Sequence, residues 1–259
     1  MDKKTNSADG TSIAYETSGD GPAVILVSGA MSTGGTVAPL AVPLADRFKV
    51  VVYDRRGRGE SRDTPPYAVE REVEDLAALI EAAGGEAALC GISSGGALAL
   101  EAAASGLPVR QVAVYEVPFA VNEGGAKERA EYTERLTEAL DEGRRGDAVE
   151  LFLRLAGMAE QMIQGARQSP MWRGMETIAP SLAYDNAVMG DGLVPRHRLA
   201  SITVPVLAVA GGASPAWMHE AARAVAETVP GGAYRILEGQ THMVEPDVLG
   251  PVLAEFFAR

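Results

Sequence analysis

The sequence predicts an α/β protein in which helices wrap a mostly parallel sheet. Short, mainly apolar runs such as Ala23 to Val27 and Lys49 to Tyr53 lack polar alternation, as expected for strands covered on both faces. These runs alternate with amphipathic helical segments, which favours parallel strands joined by helices. Residues 121–199 then contain helical patterns only, and strands resume after them. The alternation and its single interruption therefore predict one sheet with a helical insertion.

The elements before residue 120 follow this alternation in order. Residues 1–10 are polar and predict a frayed terminus, whereas Thr11 to Thr17 alternates as a strand does. After the two apolar strands, Tyr67 to Ala83 is amphipathic with helical spacing, and Gly84-Gly85 ends it. The other predicted elements of this part are helices at 36–47 and 97–104 and strands at 86–90 and 111–115.

The predicted insertion divides the chain into a core and a cap. We expect residues 1–120 and 200–259 to form the core and residues 121–199 to form a helical cap over the carboxyl edge of the sheet. The cap holds Trp172 and five of the nine methionines, which serve either as core packing or as an adaptable apolar roof over a pocket. The core then resumes with strands at 204–210 and 233–237 and helices at 215–229 and 246–257.

Composition limits the classes of partner. A length of 259 residues fits one large α/β domain with an insertion, and a net charge of −12 argues against a nucleic-acid groove or binding to an anionic membrane. No apolar stretch of about 18 residues predicts a membrane span, and the first residues lack a signal-peptide pattern, so we expect a cytoplasmic protein. The expected partner is a small-molecule substrate, with no cofactor and no metal, and a homodimer stays open.

The only cysteine, Cys90, ends an apolar strand and excludes an internal disulfide. We interpret it as a small buried residue rather than a reactive thiol.

A strand, a sharp turn and a helix of small residues surround Gly91-Ile92-Ser93-Ser94-Gly95, which fits G-x-S-x-G. In that context the motif predicts a nucleophile elbow, where strained backbone projects the Ser93 hydroxyl above the strand end. Gly91 and Gly95 must be small because neighbouring backbone passes close to them. The following helix would direct the Ser94 N–H toward a developing oxyanion.

A serine nucleophile requires a base, and the chain has three histidines. His197 lies in a basic stretch and is expected to be solvated, and His219 lies within a helix. His242 follows the last predicted strand, so a parallel sheet brings it to the same edge as Ser93. We therefore predict His242 as the base.

These motifs resemble the α/β-hydrolase superfamily, in its cap-bearing esterase branch. The resemblance covers nearly the whole chain, through Val27-Ser28-Gly29-Ala30, Tyr53 to Ser61, the elbow, the insertion and Gly239 to His242. It implies the α/β-hydrolase fold and a second oxyanion donor at the Ala30 N–H. It also implies that the Asp54 to Ser61 loop braces the site by local hydrogen bonds. Ser28 replaces the usual histidine and Ile92 replaces a polar or aromatic residue, with little expected consequence.

The carboxylate that orients the catalytic histidine departs further from the family pattern. Relatives usually carry it as Gly-x-x-Asp after the penultimate strand, but Gly211-Gly212-Ala213-Ser214-Pro215 has no carboxylate. Some members, including certain haloalkane dehalogenases, place the acid after the strand that follows the elbow helix, where this chain has Glu116. We predict that Glu116 orients His242. Alternatively, Glu116 bonds backbone N–H groups at the entry to the insertion, and Ser214 or water supports the imidazole.

These residues together predict a serine hydrolase acting on an ester-like bond through an acyl-enzyme. Met31 and Trp172 are the predicted substrate-binding residues, and the methionine-rich insertion suggests an apolar substrate of small or medium size. A serine at the elbow argues against epoxide hydrolases and dehalogenases of this fold, which use a carboxylate nucleophile. Two alternatives stay open. One is non-hydrolytic chemistry on the same frame, such as perhydrolysis, carbon–carbon cleavage or cyclisation. The other is a ligand-binding homologue without turnover.

Overall fold

The computed structural model describes residues 1–259 and contains one eight-stranded sheet. The strands are β1 (Lys3–Asn6), β2 (Ser12–Ser18), β3 (Ala23–Val27), β4 (Lys49–Tyr53), β5 (Ala87–Ile92), β6 (Val109–Tyr115), β7 (Val206–Gly211) and β8 (Gly232–Leu237). Their order across the sheet is β1-β2-β4-β3-β5-β6-β7-β8. β1 pairs with β2 and β2 pairs with β4 in antiparallel orientation. All the remaining neighbours in the sheet, from β4 across to β8, pair in parallel. This is the mostly parallel, helix-wrapped sheet that the sequence predicts.

Helices cover both faces of the sheet. Between the strands lie α1 (Gly34–Val37), a 3₁₀ turn at Ala38–Ala41, α2 (Val69–Ala83) and α3 (Ser94–Ala104), and the last two helices are α10 (Ala216–Thr228) and α11 (Pro246–Phe257). Alternate residues of each parallel strand enter different cores. Ile25 belongs to the core that includes residues of α2, α3 and α10, whereas Val24 and Leu26 belong to the core that includes the 3₁₀ turn and α11. Burial on both faces explains why these strands are continuously apolar.

The expectation of a frayed amino terminus is wrong. Lys3–Asn6 forms β1, which pairs with β2 from Lys3 opposite Tyr15 to Asn6 opposite Ser12. The following turn is fixed by Arg56, whose guanidinium donates to Asp9 Oδ2 at 2.9 Å. The strand is formed by pairing with the next segment and the turn is held by an arginine 47 residues away, so the polar composition of residues 1–10 could not reveal either contact.

Six helices lie between β6 and β7, as the sequence predicts for this region. They are α4 (Glu123–Asp141), α5 (Arg145–Leu155), α6 (Glu160–Arg167), α7 (Trp172–Ile178), α8 (Leu182–Met189) and α9 (Arg196–Leu199). We call residues 121–199 the helical insertion. The chain enters and leaves it side by side, since Ala120 N–H donates to Gly192 O at 2.7 Å and Val194 N–H to Ala120 O at 3.1 Å.

The insertion has two small apolar cores of its own. Ala30, which follows β3, packs against one of them, and Met31 packs against both. The insertion therefore contacts the carboxyl edge of the sheet at the β3 loop. None of the helices in the structure combines the length and the apolar character needed to cross a bilayer.

Candidate active site

Backbone strain marks the carboxyl edge of the sheet. Only three residues other than glycine have a positive φ: Met31 at 53°, Ser93 at 55° and Glu116 at 49°. They follow the ends of β3, β5 and β6, respectively. A side chain in this region costs on the order of 1–3 kcal/mol, and such residues persist where the surrounding structure holds them, often at functional sites. The strain thus falls on three of the residues that the sequence singles out.

Ser93 forms the sharp turn that the G-x-S-x-G motif predicts. Its ψ is −128°, and α3 begins at the next residue. A Cβ atom on Gly95 would lie 2.3 Å from Val27 O, and one on Gly91 would lie 2.4 Å from Gly95 O. Neither position has room for a side chain, which is the reason that glycine occurs two residues before and after Ser93. Ser93 itself is only partly buried, so its hydroxyl can be reached.

Two backbone N–H groups beside Ser93 are free. Neither the Ala30 N–H nor the Ser94 N–H donates a hydrogen bond to another group of the protein. The first belongs to the loop after β3, where a Cβ on Gly29 would lie 3.6 Å from Ser93 Oγ. The second stands at the amino terminus of α3, where the helix dipole favours negative charge. Such a pair can donate hydrogen bonds to an oxyanion that develops next to Ser93.

Glu116 and His242 are joined by a hydrogen bond. Glu116 Oε2 and His242 Nδ1 lie 2.8 Å apart. An ionised carboxylate only accepts, so the proton of the neutral imidazole lies on Nδ1 and Nε2 is left as an acceptor. The Glu116 side chain is fully buried, whereas 44% of the His242 side chain is exposed. The imidazole therefore has a buried, fixed side and an open side.

Glu116 also accepts from the loop that lacks the usual acid. Its Oε1 receives the Gly211 N–H at 2.8 Å. Burial acts to raise the pKa of Glu116, but hydrogen bonds from His242, Ser214 and the Gly211 N–H outweigh it and hold the pKa below its ordinary value. The carboxylate thus contacts the imidazole directly, and the backbone N–H that it accepts belongs to the end of β7 rather than to the entry to the insertion.

Neighbouring backbone fixes the loop that carries His242. The Tyr115 hydroxyl donates to Thr241 O, and Ala213 N–H donates to Gln240 O at 2.8 Å. His242 and Ser93 do not form a hydrogen bond in this structure, and contacts of this kind often tighten only when substrate binds.

The other two histidines lie on helices away from this loop. His197 is exposed on α9, and His219 lies on α10.

A buried ionic network lies behind the loop that follows β3, and its acid, Asp185, was not predicted from the sequence. Asp185, on α8 of the insertion, accepts from Arg55 at 2.7 Å, Arg58 at 2.6 Å and the Ser94 hydroxyl at 2.8 Å. Arg55 in turn donates twice to Glu72, at 2.7 Å each. The sequence feature that could have indicated such an acid is the arginine-rich loop after β4. Three arginines within four residues, once buried, require acids from elsewhere in the chain.

The remaining predicted residues have clear positions. Trp172 is buried in an apolar core of the insertion with Val149 and Ile163, so its role in substrate binding stays a prediction. Met31 packs against the same core from the β3 loop. Cys90 is buried within β5, and burial raises the pKa of its thiol to about 12, in agreement with a structural role. No group of three or more His, Cys, Asp or Glu side chains is arranged to hold a metal ion.

Comparison with known proteins agrees with the fold and the order of these motifs. The sequence profile of the alpha/beta hydrolase family matches residues 24–249. The chain belongs to this family. The match includes the loop after β3, the Ser93 turn, the insertion and His242, so this α/β hydrolase contains the family's core from β3 into α11.

Three relatives show how this hydrolase compares with known members. It is 40% identical over 100 residues to a pimeloyl-[acyl-carrier protein] methyl ester esterase of Stenotrophomonas maltophilia, a match that covers 38% of this chain and only 37% of that esterase. It is 28% identical over 257 residues to a putative carbamate hydrolase, RutD, of Azorhizobium caulinodans, with 93% of each chain covered. The crystal structure of an alpha/beta hydrolase from Sphaerobacter thermophilus superposes with a TM-score of 0.91 and 54% identity, over 98% of this chain and 100% of that one.

Proposed function

We propose that this α/β hydrolase is a serine hydrolase that cleaves an ester-like bond through an acyl-enzyme on Ser93. The observation that carries the proposal is the hydrogen bond between Glu116 and His242, at the sheet edge where strained Ser93 stands. A buried carboxylate that fixes the Nδ1 proton leaves Nε2 of His242 as the base for a serine hydroxyl.

The reaction then has two halves. Ser93 Oγ attacks the substrate carbonyl carbon while Nε2 of His242 takes the hydroxyl proton, and the N–H groups of Ala30 and Ser94 bind the resulting oxyanion. The carbonyl re-forms, the bond to the alcohol breaks, and His242 returns its proton to the alcohol. Water then attacks the acyl-enzyme by the same route and releases the acid and Ser93. Glu116 stabilises the imidazolium in both halves and stays ionised.

The substrate we propose is a small or medium, largely apolar molecule that needs no cofactor. The insertion contacts the β3 loop through Met31, next to the free Ala30 N–H, and an apolar wall there would exclude water from the oxyanion. The relatives' names include a methyl ester esterase and a putative carbamate hydrolase, so carboxylic esters and carbamates are the bond types to test first. A cytoplasmic location, and a cap role for the insertion, belong to the same proposal.

The bond between Glu116 and His242 supports hydrolysis over non-hydrolytic chemistry on the same frame. The lack of a carboxylate in Gly211 to Pro215 would mildly favour that alternative, but Glu116 offers an acid to orient the imidazole. The alternatives now serve as outcomes of the test.

The experiment is hydrolysis of p-nitrophenyl esters of increasing acyl length, together with an aryl carbamate. Wild type, Ser93→Ala and His242→Ala are compared. We expect turnover by the wild type, highest for short or medium acyl chains, and a loss of at least about 10³-fold in kcat for either variant. Equal turnover by Ser93→Ala, or no turnover of any ester or carbamate by the wild type, would contradict the proposal.

A further inference from the structure

Arg58 contacts the peptide unit that carries the first oxyanion donor. Its Nη1 donates to Gly29 O at 2.6 Å, and Gly29 C=O and Ala30 N–H belong to the same peptide. In a trans peptide these two groups point in opposite directions, so a bond that holds the carbonyl also directs the N–H. Because guanidinium is charged, the bond is strong, and it polarises the amide so that its N–H becomes a better donor.

Asp185 connects this arginine to the second donor. Its Oδ2 accepts from Arg58 Nη2 at 2.6 Å, and its Oδ1 accepts from the Ser94 hydroxyl at 2.8 Å. Ser94 provides the other free N–H beside the nucleophile. A single carboxylate from the helical insertion is therefore bonded to both sides of the predicted oxyanion hole. Asp185 is only 5% exposed, and this burial keeps water from competing for its hydrogen bonds.

Stability alone gives little reason to keep such a network. Burial acts to raise the pKa of Asp185, but Arg58 and Arg55 outweigh it and hold the pKa below the ordinary value, so the carboxylate is charged. Buried ion pairs cost much of their attraction in lost hydration, and apolar replacements are often as stable. The network instead fixes the direction of two backbone groups, the N–H groups of Ala30 and Ser94.

A neighbouring arginine provides a natural comparison. Arg56 is as buried as Arg58 and is also bonded to acids, at 2.7 and 2.8 Å from Asp75 and 2.9 Å from Asp9. Its remaining contacts are Ser7 and the Arg71 carbonyl, so it touches neither the β3 loop nor the elbow. Arg58 also donates to Ser32 O at 3.2 Å, in the same loop after β3. Any effect on chemistry that Arg58 has and Arg56 lacks therefore comes from its contacts with this loop, of which the bond to Gly29 O is the shorter, or from its contact with Asp185.

We propose that Arg58 and Asp185 are positioning residues that align both N–H donors of the oxyanion hole, so that the hole is complete only when the helical insertion is docked. This inference rests on the proposed function, because it assumes that Ser93 generates an oxyanion. Neither side chain touches substrate. They act through the Gly29–Ala30 peptide and through Ser94.

The test measures transition-state stabilisation separately from substrate binding. Arg58→Met, Ser94→Ala and the control Arg56→Met are assayed for kcat and KM on the best p-nitrophenyl ester. The inhibition constant of an aryl trifluoromethyl ketone is measured in parallel, since its adduct with Ser93 places an oxyanion in the hole. Thermal unfolding identifies variants that fold. The Ser94→Ala change removes only the hydroxyl held by Asp185 and keeps the N–H donor.

We expect Arg58→Met to lower kcat by roughly 10- to 100-fold, since it weakens a donor whose removal costs about 10²–10³-fold. The inhibition constant should rise by the same factor while KM changes by less than about threefold. We expect Ser94→Ala to show the same pattern at about three- to tenfold, and Arg56→Met to lose thermal stability with kcat and inhibition constant near the wild type.

The proposal is overturned if folded Arg58→Met keeps the wild-type kcat and inhibition constant, or if Arg56→Met shows the same losses. If Arg58→Met does not fold, unchanged values for Ser94→Ala overturn it. A wild type without Ser93-dependent turnover would instead contradict the proposed function, so the two failures are distinguishable.

Discussion

Glu116 Oε2 lies 2.8 Å from His242 Nδ1, although 126 residues separate the two in the chain. The parallel sheet makes this contact, because β6 and β8 both end at the same edge with only β7 between them. The imidazole receives its orientation from a carboxylate that solvent does not reach.

Replacement of Glu116 by glutamine should lower kcat by roughly 10³- to 10⁴-fold with little change in KM. Glutamine keeps the shape but can stabilise neither the Nδ1–H tautomer nor the imidazolium. The measurement is steady-state kinetics on a p-nitrophenyl ester. Ser214→Ala is the matched control, since Glu116 keeps its bonds to His242 and Gly211 there, and we expect less than a tenfold loss. Full kcat in Glu116→Gln would show that another group orients the base.

Gly95→Ala should destabilise the protein by about 2 kcal/mol or more, because its Cβ would lie 2.3 Å from Val27 O and 2.5 Å from Ser28 O. The control is Gly174→Ala in α7, where an added Cβ meets nothing within 4 Å. That change should be neutral or stabilising by up to about 1 kcal/mol. Urea unfolding of both variants measures the difference. Equal stability of the two would mean that the elbow is less tightly packed than the structure shows.

Asp185 should make the folding stability of the protein decrease as the pH is lowered. Its pKa is depressed in the folded state, so its contribution is present above the unfolded pKa and is lost as pH falls through the folded value. Asp185→Asn should be less stable at pH 7, because the charge of Arg58 is left unpaired. Its melting temperature should also decline less steeply between about pH 5 and 2. The exposed Glu255→Gln is the control and should follow the wild-type curve. Parallel curves for Asp185→Asn and the wild type would contradict this account.

The sequence was most informative where a residue's environment is set by its neighbours in the chain. Uniform apolar runs located β3 and β4 with the observed bounds, and glycine spacing located Ser93. It was least informative where a partner outside the segment decides the outcome. Lys3–Asn6 is a strand because the next strand, β2, pairs with it, and its own polar composition conceals this. Asp185 reads as one acidic residue on a short helix until the fold brings Arg55 and Arg58 to it.

Glu116 lies between these cases. Three observations singled it out: the missing carboxylate in Gly211 to Pro215, an acid ending an apolar strand, and the resemblance to family members that carry their acid at this position. The second bond, from Gly211 N–H, could not be foreseen, because it depends on how β7 and β6 are aligned. The orientation of a side chain is fixed by register and packing, and these are properties of the folded chain.

Covalent labelling of Ser93 tests the central claim most directly. The wild type is treated with a fluorophosphonate, digested and mapped by mass spectrometry, with Ser93→Ala and Glu116→Gln in parallel. We expect one adduct per chain on Ser93, none on Ser93→Ala, and slower labelling of Glu116→Gln. An unmodified Ser93 in a folded wild-type protein, or an adduct at another residue while ester turnover continues in Ser93→Ala, would contradict the account.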